Sequence, residues 1–263
     1  MLLRRVKLIY LIELSDKRNI ILFNKLKEEN AAEGFSFADK KKQEFEGAVV
    51  VFSPARKLDK EEAAKLPKDS KVLGGKQSEE VKTVLKQRGI SYYNILENEN
   101  YAVKNAKLTA EGVLSMVICN TDRSVYDIHI LILGCGRVGK ATALLFGRLG
   151  LKTAVASFDI DEYNAHSLYA EKAYYKDGFV QEIGKYDIII NTVPHEILKD
   201  NALRKIKPKA LVLELASVSC LDKEMVNKYP FKYVVAGSLP VIYSAESAAE
   251  IMLECVVHST QIS

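Results

Sequence analysis

Cysteine is scarce, and its spacing excludes more than its number. The four cysteines, at positions 119, 135, 220 and 255, form no C-x-x-C pair. Zinc ribbons and thioredoxin-type exchange are therefore not expected. The four histidines show neither H-x-x-x-H nor H-E-x-x-H spacing, and no aspartate loop of calcium type occurs. No metal site is legible. A G-x-S-x-G elbow for acyl transfer is also missing. The apolar run within MLLRRVKLIYLIEL is roughly eight residues, too short to cross a bilayer. It lacks a small-residue cleavage site and reads as a buried first strand. Positive charge is scattered, with a net charge of +4. The one tight basic run, Lys40-Lys41-Lys42, is followed by Glu44 and Glu46 and reads as a solvated loop or helix face. Without a groove-binding motif or aromatic platform, it does not point to nucleic acid. The expectation is a soluble, cytoplasmic protein with reduced thiols, binding neither membrane nor nucleic acid. There is no low-complexity segment.

What is present is a regular β-α alternation. Apolar residues make up 48% of the 263, enough to bury real cores, and the length suits two ordinary domains or one large one. Strands are expected at 6–13, 47–52, 70–73 and 91–96, with helices at 18–29 and 78–88. Ser78 caps the second helix and Gly89 stops it. A helix capped by Thr109 runs to about residue 120. Beyond it come a strand at 128–133, a helix at 140–149 and a strand at 152–157. Further strands fall at 186–192, 210–215 and 233–236, and a last helix at 244–258. The fold class is α/β with parallel sheets. The expected parts are an N-terminal domain over 1–107, a connecting helix over 108–122, a doubly wound dinucleotide-binding domain over 123–243 and a C-terminal helix over 244–263. Cys119 and Cys255 lie in apolar helical patterns and read as core.

Residues 128–139, IHILILGCGRVG, carry the strongest signal. Strand, G-x-G-x-x-G and helix in that order form the dinucleotide fingerprint. Gly134 permits the tight turn, Gly136 lets backbone approach a pyrophosphate, and Gly139 lets helix pack on strand. Arg137 and Val138 then open a helix whose N–H groups and dipole favour phosphate. An acid usually ends the second strand and binds the ribose 2′-OH. Here Ser157 and Phe158 stand at that point, with Asp159 and Asp161 beyond. The missing acid favours NADP(H), while the lack of a neighbouring arginine leaves NAD open. Asp159 and Asp161 read better as caps of the following helix. Strand ends at Asn191-Thr192-Val193-Pro194, Leu215-Ala216-Ser217 and Gly237-Ser238-Leu239-Pro240 should face the nicotinamide. The same residues are also ordinary turn formers.

Several pieces, in order, resemble one family. They are Asp16-Lys17-Arg18, Thr109-Ala110-Glu111-Gly112, Asn120-Thr121-Asp122, the fingerprint, Asn191-Thr192-Val193-Pro194, Leu215-Ala216-Ser217 and Leu239-Pro240. The chain resembles the A subunit of dipicolinate synthase over nearly its whole length. The glycine fingerprint is generic; the T-A-E-G and N-T-x-P pieces are more specific. The resemblance implies a flavodoxin-like N-terminal domain, a Rossmann domain with NAD(P) between them, and oxidation of dihydrodipicolinate to dipicolinate in sporulation. It also implies a partner, a flavoprotein-like B subunit. Departures fall in loops expected to face the ligand. The family's Lys-Pro-Gly-Gly turn is Val218-Ser219-Cys220-Leu221 here, followed by a matching Asp222. Its first-strand glycines are Glu13-Leu14-Ser15, its Gly-Leu-Pro-Gly is Ser238-Leu239-Pro240-Val241, and the proline of its P-T-A-E-G is Leu108. Lost glycines constrain backbone near a ligand, as in a diverged paralogue with a changed substrate or weakened cofactor binding.

Oxidising a ring dicarboxylate needs a hydride acceptor, a base and cations. Arg18 is the first choice for a carboxylate, because its planar fork bonds two oxygens. The alternative is a solvated first-turn arginine. Lys104 and Lys107 are weaker candidates, and Asp16 reads as a helix cap. Thr109 and Glu111 are the family-matched residues nearest the domain junction. Glu111 serves as base, binds substrate, or only complements a helix dipole. His195 follows Pro194 at the mouth of the crevice, and histidine is a common general acid or base; a solvated loop histidine is the other reading. His129 lies inside the fingerprint strand, and His166 and His258 read as surface or packed. Other readings are a different NAD(P)-dependent dehydrogenase of a small carboxylate, or a non-catalytic dinucleotide-binding chain regulating a flavoprotein. The oligomeric state stays open, a homo-oligomer included.

Overall fold

Short apolar strands alternate with helices through the chain, and they assemble into two parallel sheets. The structure is a computed structural model that describes residues 9–28, 32–166, 170–216, 221 and 223–261. The chain divides into two units, Met1–Asn105 with Ser244–Ser263, and Ala106–Tyr243.

The first unit contains β1 (Tyr10–Glu13), α1 (Lys17–Glu28), β2 (Ala32–Phe35), β3 (Val49–Val51), α2 (Lys60–Lys65), β4 (Lys71–Gly74), α3 (Glu79–Gln87) and β5 (Ser91–Asn94). Its strand order is β2-β1-β3-β4-β5, the flavodoxin-like order. Alternate residues of each strand feed opposite faces. Leu11, Val50 and Val72 pack with Ala63 of α2 and Val81 and Leu85 of α3. Ile12, Val49, Val51 and Leu73 pack with Leu22 and Leu26 of α1. The same cluster takes Ala249, Met252, Cys255 and Val256 from the last helix of the chain.

The second unit holds most of α4 (Glu99–Cys119), then β6 (His129–Leu133), α5 (Arg137–Arg148), β7 (Lys152–Ser157), α6 (Ile160–His166), β8 (Lys172–Tyr175), β9 (Ile188–Asn191), α7 (Asp200–Leu203), β10 (Leu211–Glu214), α8 (Lys223–Val226), β11 (Lys232–Val235) and α9 (Leu239–Tyr243). The remaining helix, α10 (Ala245–Gln261), belongs to the first unit. The order β11-β10-β9-β6-β7-β8 is the doubly wound Rossmann order read from its far edge. Ile130, Ile132, Ile188, Ile190 and Leu213 pack with Phe146 of α5 and Val113 and Val117 of α4. Leu131, Leu133, Ile189 and Val212 face Phe179, Ile183 and Leu203. The expected α/β class is borne out in both sheets.

Some local expectations change. α4 begins at Glu99, ten residues before the expected start, so Thr109 sits mid-helix and caps nothing. Glu111 is likewise inside the helix rather than in its first turn. α5 starts at Arg137 with Gly136 as its N-cap. Cys119 is exposed, whereas Cys255 is buried as expected. Two strands, β2 and β8, and the helix α2 had no clear signal. Cys220 lies outside the described residues. No described helix is long and apolar enough to cross a membrane.

Candidate functional site

In doubly wound sheets a ligand binds at the carboxyl ends of strands where the order reverses. In the second unit that point lies between β6 and β9. β6 ends in Gly134, whose φ of +97° only glycine holds without strain. A Cβ there would strike Thr192 Oγ1 and lie 2.7 Å from Val193 Cγ2. The close approach is fixed by Thr192, whose Oγ1 and N–H both donate to Leu133 O at 2.9 Å. Gly139 is required by packing, since a Cβ would collide with the Gly134 carbonyl oxygen.

Gly136 differs from both. Among the described residues, a Cβ on it would meet nothing within 4 Å. It is the N-cap of α5 and, being glycine, offers no side-chain cap hydrogen bond. Bare backbone therefore stands at the positive end of a 12-residue helix, with open space over it. This fits a dinucleotide pyrophosphate. Arg137 is exposed and Val138 half-buried at the same turn. Cys135 is buried, and burial pushes its thiol up to about 11. It is not a nucleophile at neutral pH.

Beside this turn, a polar network ties the ends of β9 and β10 to each other and to β11. Glu214, the last residue of β10, is fully buried. Its two oxygens accept from Asn191 Nδ2 at 3.0 and 2.9 Å. They also accept from Ala216 N at 3.0 Å and Tyr233 Oη at 3.2 Å. Asn191 Oδ1 in turn accepts from Val193 N at 3.1 Å. Glu214 thus sets the path of both 191–193 and 214–216. Its signal in the sequence is one acid inside the apolar run ALVLEL, which the strand pattern alone does not single out. Pro194 and His195 follow on an exposed loop. Ser217 and the segment 218–220 lie outside the described residues, as does Asp222.

At the end of β7, Ser157 is buried, and its hydroxyl donates to Asp159 O at 3.0 Å and accepts from Asp159 N at 3.2 Å. Asp159 Oδ1 accepts from Asp161 N and Glu162 N, both at 2.9 Å. That is the capping role expected of it. Phe158, between them, is 37% exposed.

The first unit has its own switch point, between β1 and β3. Side chains fill it. Arg18 is 5% exposed rather than solvated. Its Nη2 donates to Asp16 Oδ2 at 2.8 Å and Ser53 Oγ at 3.2 Å, and Nη1 to Tyr101 Oη at 3.3 Å. Ser53 Oγ donates to Asp16 Oδ2 at 2.5 Å. Asp16 also caps α1 through Asn19 N at 3.0 Å. Burial alone would raise the Asp16 carboxyl, but the Arg18 charge and these hydrogen bonds carry it below the usual carboxylate range. Arg56 joins Glu13 at 3.0 Å and pairs with Glu62. The Arg18 Nε is buried without a partner. A carboxylate ligand would have to open this cluster to reach the fork.

The other candidates are dispersed. Lys104 pairs with Glu254. Glu111 is exposed and Thr109 half-buried on α4. Gly112 on the same helix has a packing task, since a Cβ would lie 2.6 Å from Leu239 Cβ. Two family-matched pieces, T-A-E-G and Leu239-Pro240, thus meet as a helix contact. His129 opens β6 half-exposed, His166 is buried, and His258 is exposed.

Comparison with known proteins bears out the family resemblance. No family model matches the chain. The A subunit of dipicolinate synthase from Bacillus subtilis (strain 168) is 26% identical over 210 residues, covering 79% of this chain and 71% of that protein. The crystal structure of the corresponding A subunit from Bacillus halodurans matches with a TM-score of 0.83 at 20% identity, over 96% of each chain. The apo-structure of D-lactate dehydrogenase from Escherichia coli shares the fold at a TM-score of 0.65 and 10% identity, over 96% of this chain and 95% of that one. The chain is thus similar to the dipicolinate synthase A subunit in sequence and fold, and its fold is similar to that of Rossmann-type dehydrogenases.

Proposed function

We propose that this chain is an oxidoreductase like the A subunit of dipicolinate synthase, using NADP or NAD to oxidise dihydrodipicolinate to dipicolinate in sporulation. The observation carrying the reading is the open backbone at Gly136 on the uncapped end of α5. Gly134, Gly136, Arg137, Val138 and Gly139 form the pyrophosphate turn in this reading. Thr192, Val193, Pro194 and Ala216 line the nicotinamide end, held by Glu214 and Asn191. Ser157 shapes the loop at the adenosine end. The cofactor supplies hydride acceptance when bound. The chain's task is to orient the ring, exclude water and manage a proton. His195 and Glu111 are the proposed acid–base groups. Thr109 and Arg18 are the proposed substrate contacts, Arg18 through the Nε donor that its neighbours leave over. NADP(H) is expected to bind at least as well as NAD(H), since no strand-end acid repels a 2′-phosphate. The B subunit of the synthase is the proposed partner, a flavoprotein-like chain.

A second reading is a non-catalytic dinucleotide-binding chain that regulates such a flavoprotein. Val218-Ser219-Cys220-Leu221, in place of the family's glycine turn, favours it. Two measurements decide. Calorimetric titration with the four nicotinamide dinucleotides should show binding, and Gly136→Val should weaken it more than tenfold, about 1.4 kcal/mol. Unchanged affinity in folded Gly136→Val would refute the pyrophosphate assignment. Dipicolinate absorbance, followed with freshly generated dihydrodipicolinate, should rise little with the chain alone and clearly with the partner added. Activity needs substrate held against the nicotinamide, and the altered turn is part of the expected holding surface. Failure with the partner present would favour the regulatory reading or a different substrate.

A further inference from the structure

Across the second sheet, the last residues of three strands stand in one row. Glu214 is registered with Asn191, and Asn191 with Leu133, the residue before the Gly134 turn. Glu214 and Asn191 are both fully buried. In this fold the adenosine ribose is read at the end of the second strand, here on the β7 side of the turn. The β9 and β10 side is then the nicotinamide end. The row lies directly behind the residues proposed to line that end. Glu214 Oε1 accepts from one of them, Ala216 N, at 3.0 Å, and Asn191 Oδ1 from another, Val193 N, at 3.1 Å.

Most of this bonding does not need a charge. A glutamine at 214 would keep the bonds from Ala216 N and Asn191 Nδ2 to its oxygen. Its amide would give up the second contact with Asn191 Nδ2 and donate to Tyr233 Oη, since a hydroxyl accepts as well as donates. A fully buried carboxylate costs more than an amide. The donors named here are uncharged, so they orient its charge without cancelling it. What a negative charge adds is a field. The oxidised nicotinamide ring is cationic, and the reduced ring is neutral. A fixed anion in a low-dielectric interior stabilises the first and leaves the second almost unaffected.

We propose that the charge of Glu214 makes the nicotinamide site select the oxidised ring, so that this chain holds NAD(P)⁺ more tightly than NAD(P)H. The proposal rests on the dinucleotide reading above and goes beyond it by naming what selects the oxidation state. Glu214 touches no ligand in this role. It acts through its charge, from behind the loops that it also holds in place. The bias suits oxidation of a substrate: the oxidised cofactor is loaded, and the neutral ring left after hydride transfer is held less tightly.

The test is calorimetric titration of the full chain with NAD⁺, NADH and ADP-ribose. Wild type should bind NAD⁺ more tightly than NADH. Glu214→Gln should lower the ratio of the two affinities about tenfold, the scale of one unit charge acting across a partly buried site. Glu214→Asp keeps the charge and should keep the ratio within about threefold of wild type, even where both affinities fall. ADP-ribose has no nicotinamide and should bind Glu214→Gln within about threefold of wild type. Equal weakening of NAD⁺ and NADH in Glu214→Gln would make Glu214 purely structural and overturn the proposal. So would a wild type that binds NADH more tightly than NAD⁺, a comparison that decides even if no variant folds. If Gly136→Val weakens ADP-ribose binding while Glu214→Gln leaves the NAD⁺ to NADH ratio unchanged, the dinucleotide reading stands and this proposal alone fails. If wild type binds neither NAD⁺ nor NADH, the dinucleotide reading fails and takes this proposal with it.

Discussion

The two sheets each have a switch point, and they finish it in opposite ways. Between β1 and β3 of the first unit, Asp16, Arg18, Ser53 and Tyr101 close over the strand ends with ion-paired and hydrogen-bonded side chains. Between β6 and β9 of the second, glycine keeps the strand end bare, and a Cβ on Gly136 would meet no described atom within 4 Å. Topology offers a crevice at both places. Side-chain chemistry decides which is left for a ligand. At the first, charge is spent on holding elements of the same unit together. At the second, backbone N–H groups and a helix dipole are presented, and the buried Glu214 nearby is turned toward its own strands. An arginine at a strand end is therefore weak evidence of anion binding until its partners are known.

The largest effect that separates the two points is removal of Arg18. Arg18→Ala leaves the Asp16 carboxylate without its cation at a mostly buried position. Breaking such a pair costs about 3–5 kcal/mol, and urea unfolding should report it. Dinucleotide affinity should stay within twofold. Loss of dipicolinate binding at temperatures where the variant is still folded would support the proposed substrate contact through Nε, in addition to this structural role. Binding of that ligand as tight as in wild type would leave it purely structural.

A smaller effect comes from Asp16 and depends on pH. Its carboxyl is held below the usual range by Arg18, Ser53 and the Asn19 N–H, against the upward push of burial. A depressed folded value means the contribution is full above the ordinary aspartate range. It is lost as pH falls through the folded value. Asp16→Asn should cost about 2 kcal/mol at neutral pH, as for other charge-assisted hydrogen bonds. The gap between variant and wild type should narrow as pH drops below about 4. A gap that is constant with pH would mean that Asp16 acts by shape alone.

How much of this was readable from the residues differs between the two points for the same reason. The second is written locally: Gly134, Gly136 and Gly139 each do what their spacing implies, and the apolar run before them is β6. The first is assembled from positions 16, 18, 53 and 101, which only the topology unites. Arg18 was visible as an arginine near a helix start, but its burial was not. Likewise β2, AEGF, buries only Phe35, and β8, KAYY, buries only Tyr174, so neither shows a strand's hydrophobic signature. The first turns of α4, ENYAVKNAKL, are mostly polar, and Thr109 resembles a cap, which hid the true start at Glu99. In the sequence Glu214 and Tyr233 show only as parts of strands, because a polar network across three strands has no sequence period.

The smallest effect sharpens the contrast at the open point itself. From sequence alone, Ser157→Asp would restore the missing ribose acid and shift preference toward NAD. The structure changes that expectation. The Ser157 hydroxyl lies inside the loop, where it both donates to and accepts from Asp159 backbone. An aspartate there still accepts the Asp159 N–H but cannot donate to the Asp159 carbonyl. Its second oxygen would face that carbonyl with no proton between them. The new charge is drawn inward by one bond and pushed outward by the other, so only part of it reaches the ribose. The expected change in the NAD-to-NADP affinity ratio is less than about threefold, or about 0.6 kcal/mol. Phe158→Asp, at the exposed neighbouring position, should move the ratio further toward NAD, because its carboxylate has no such internal partner to satisfy. Fluorescence titration with NADH and NADPH measures both ratios. A tenfold swing in Ser157→Asp would mean that the strand end reads the ribose after all, and that the open point is open only to the pyrophosphate.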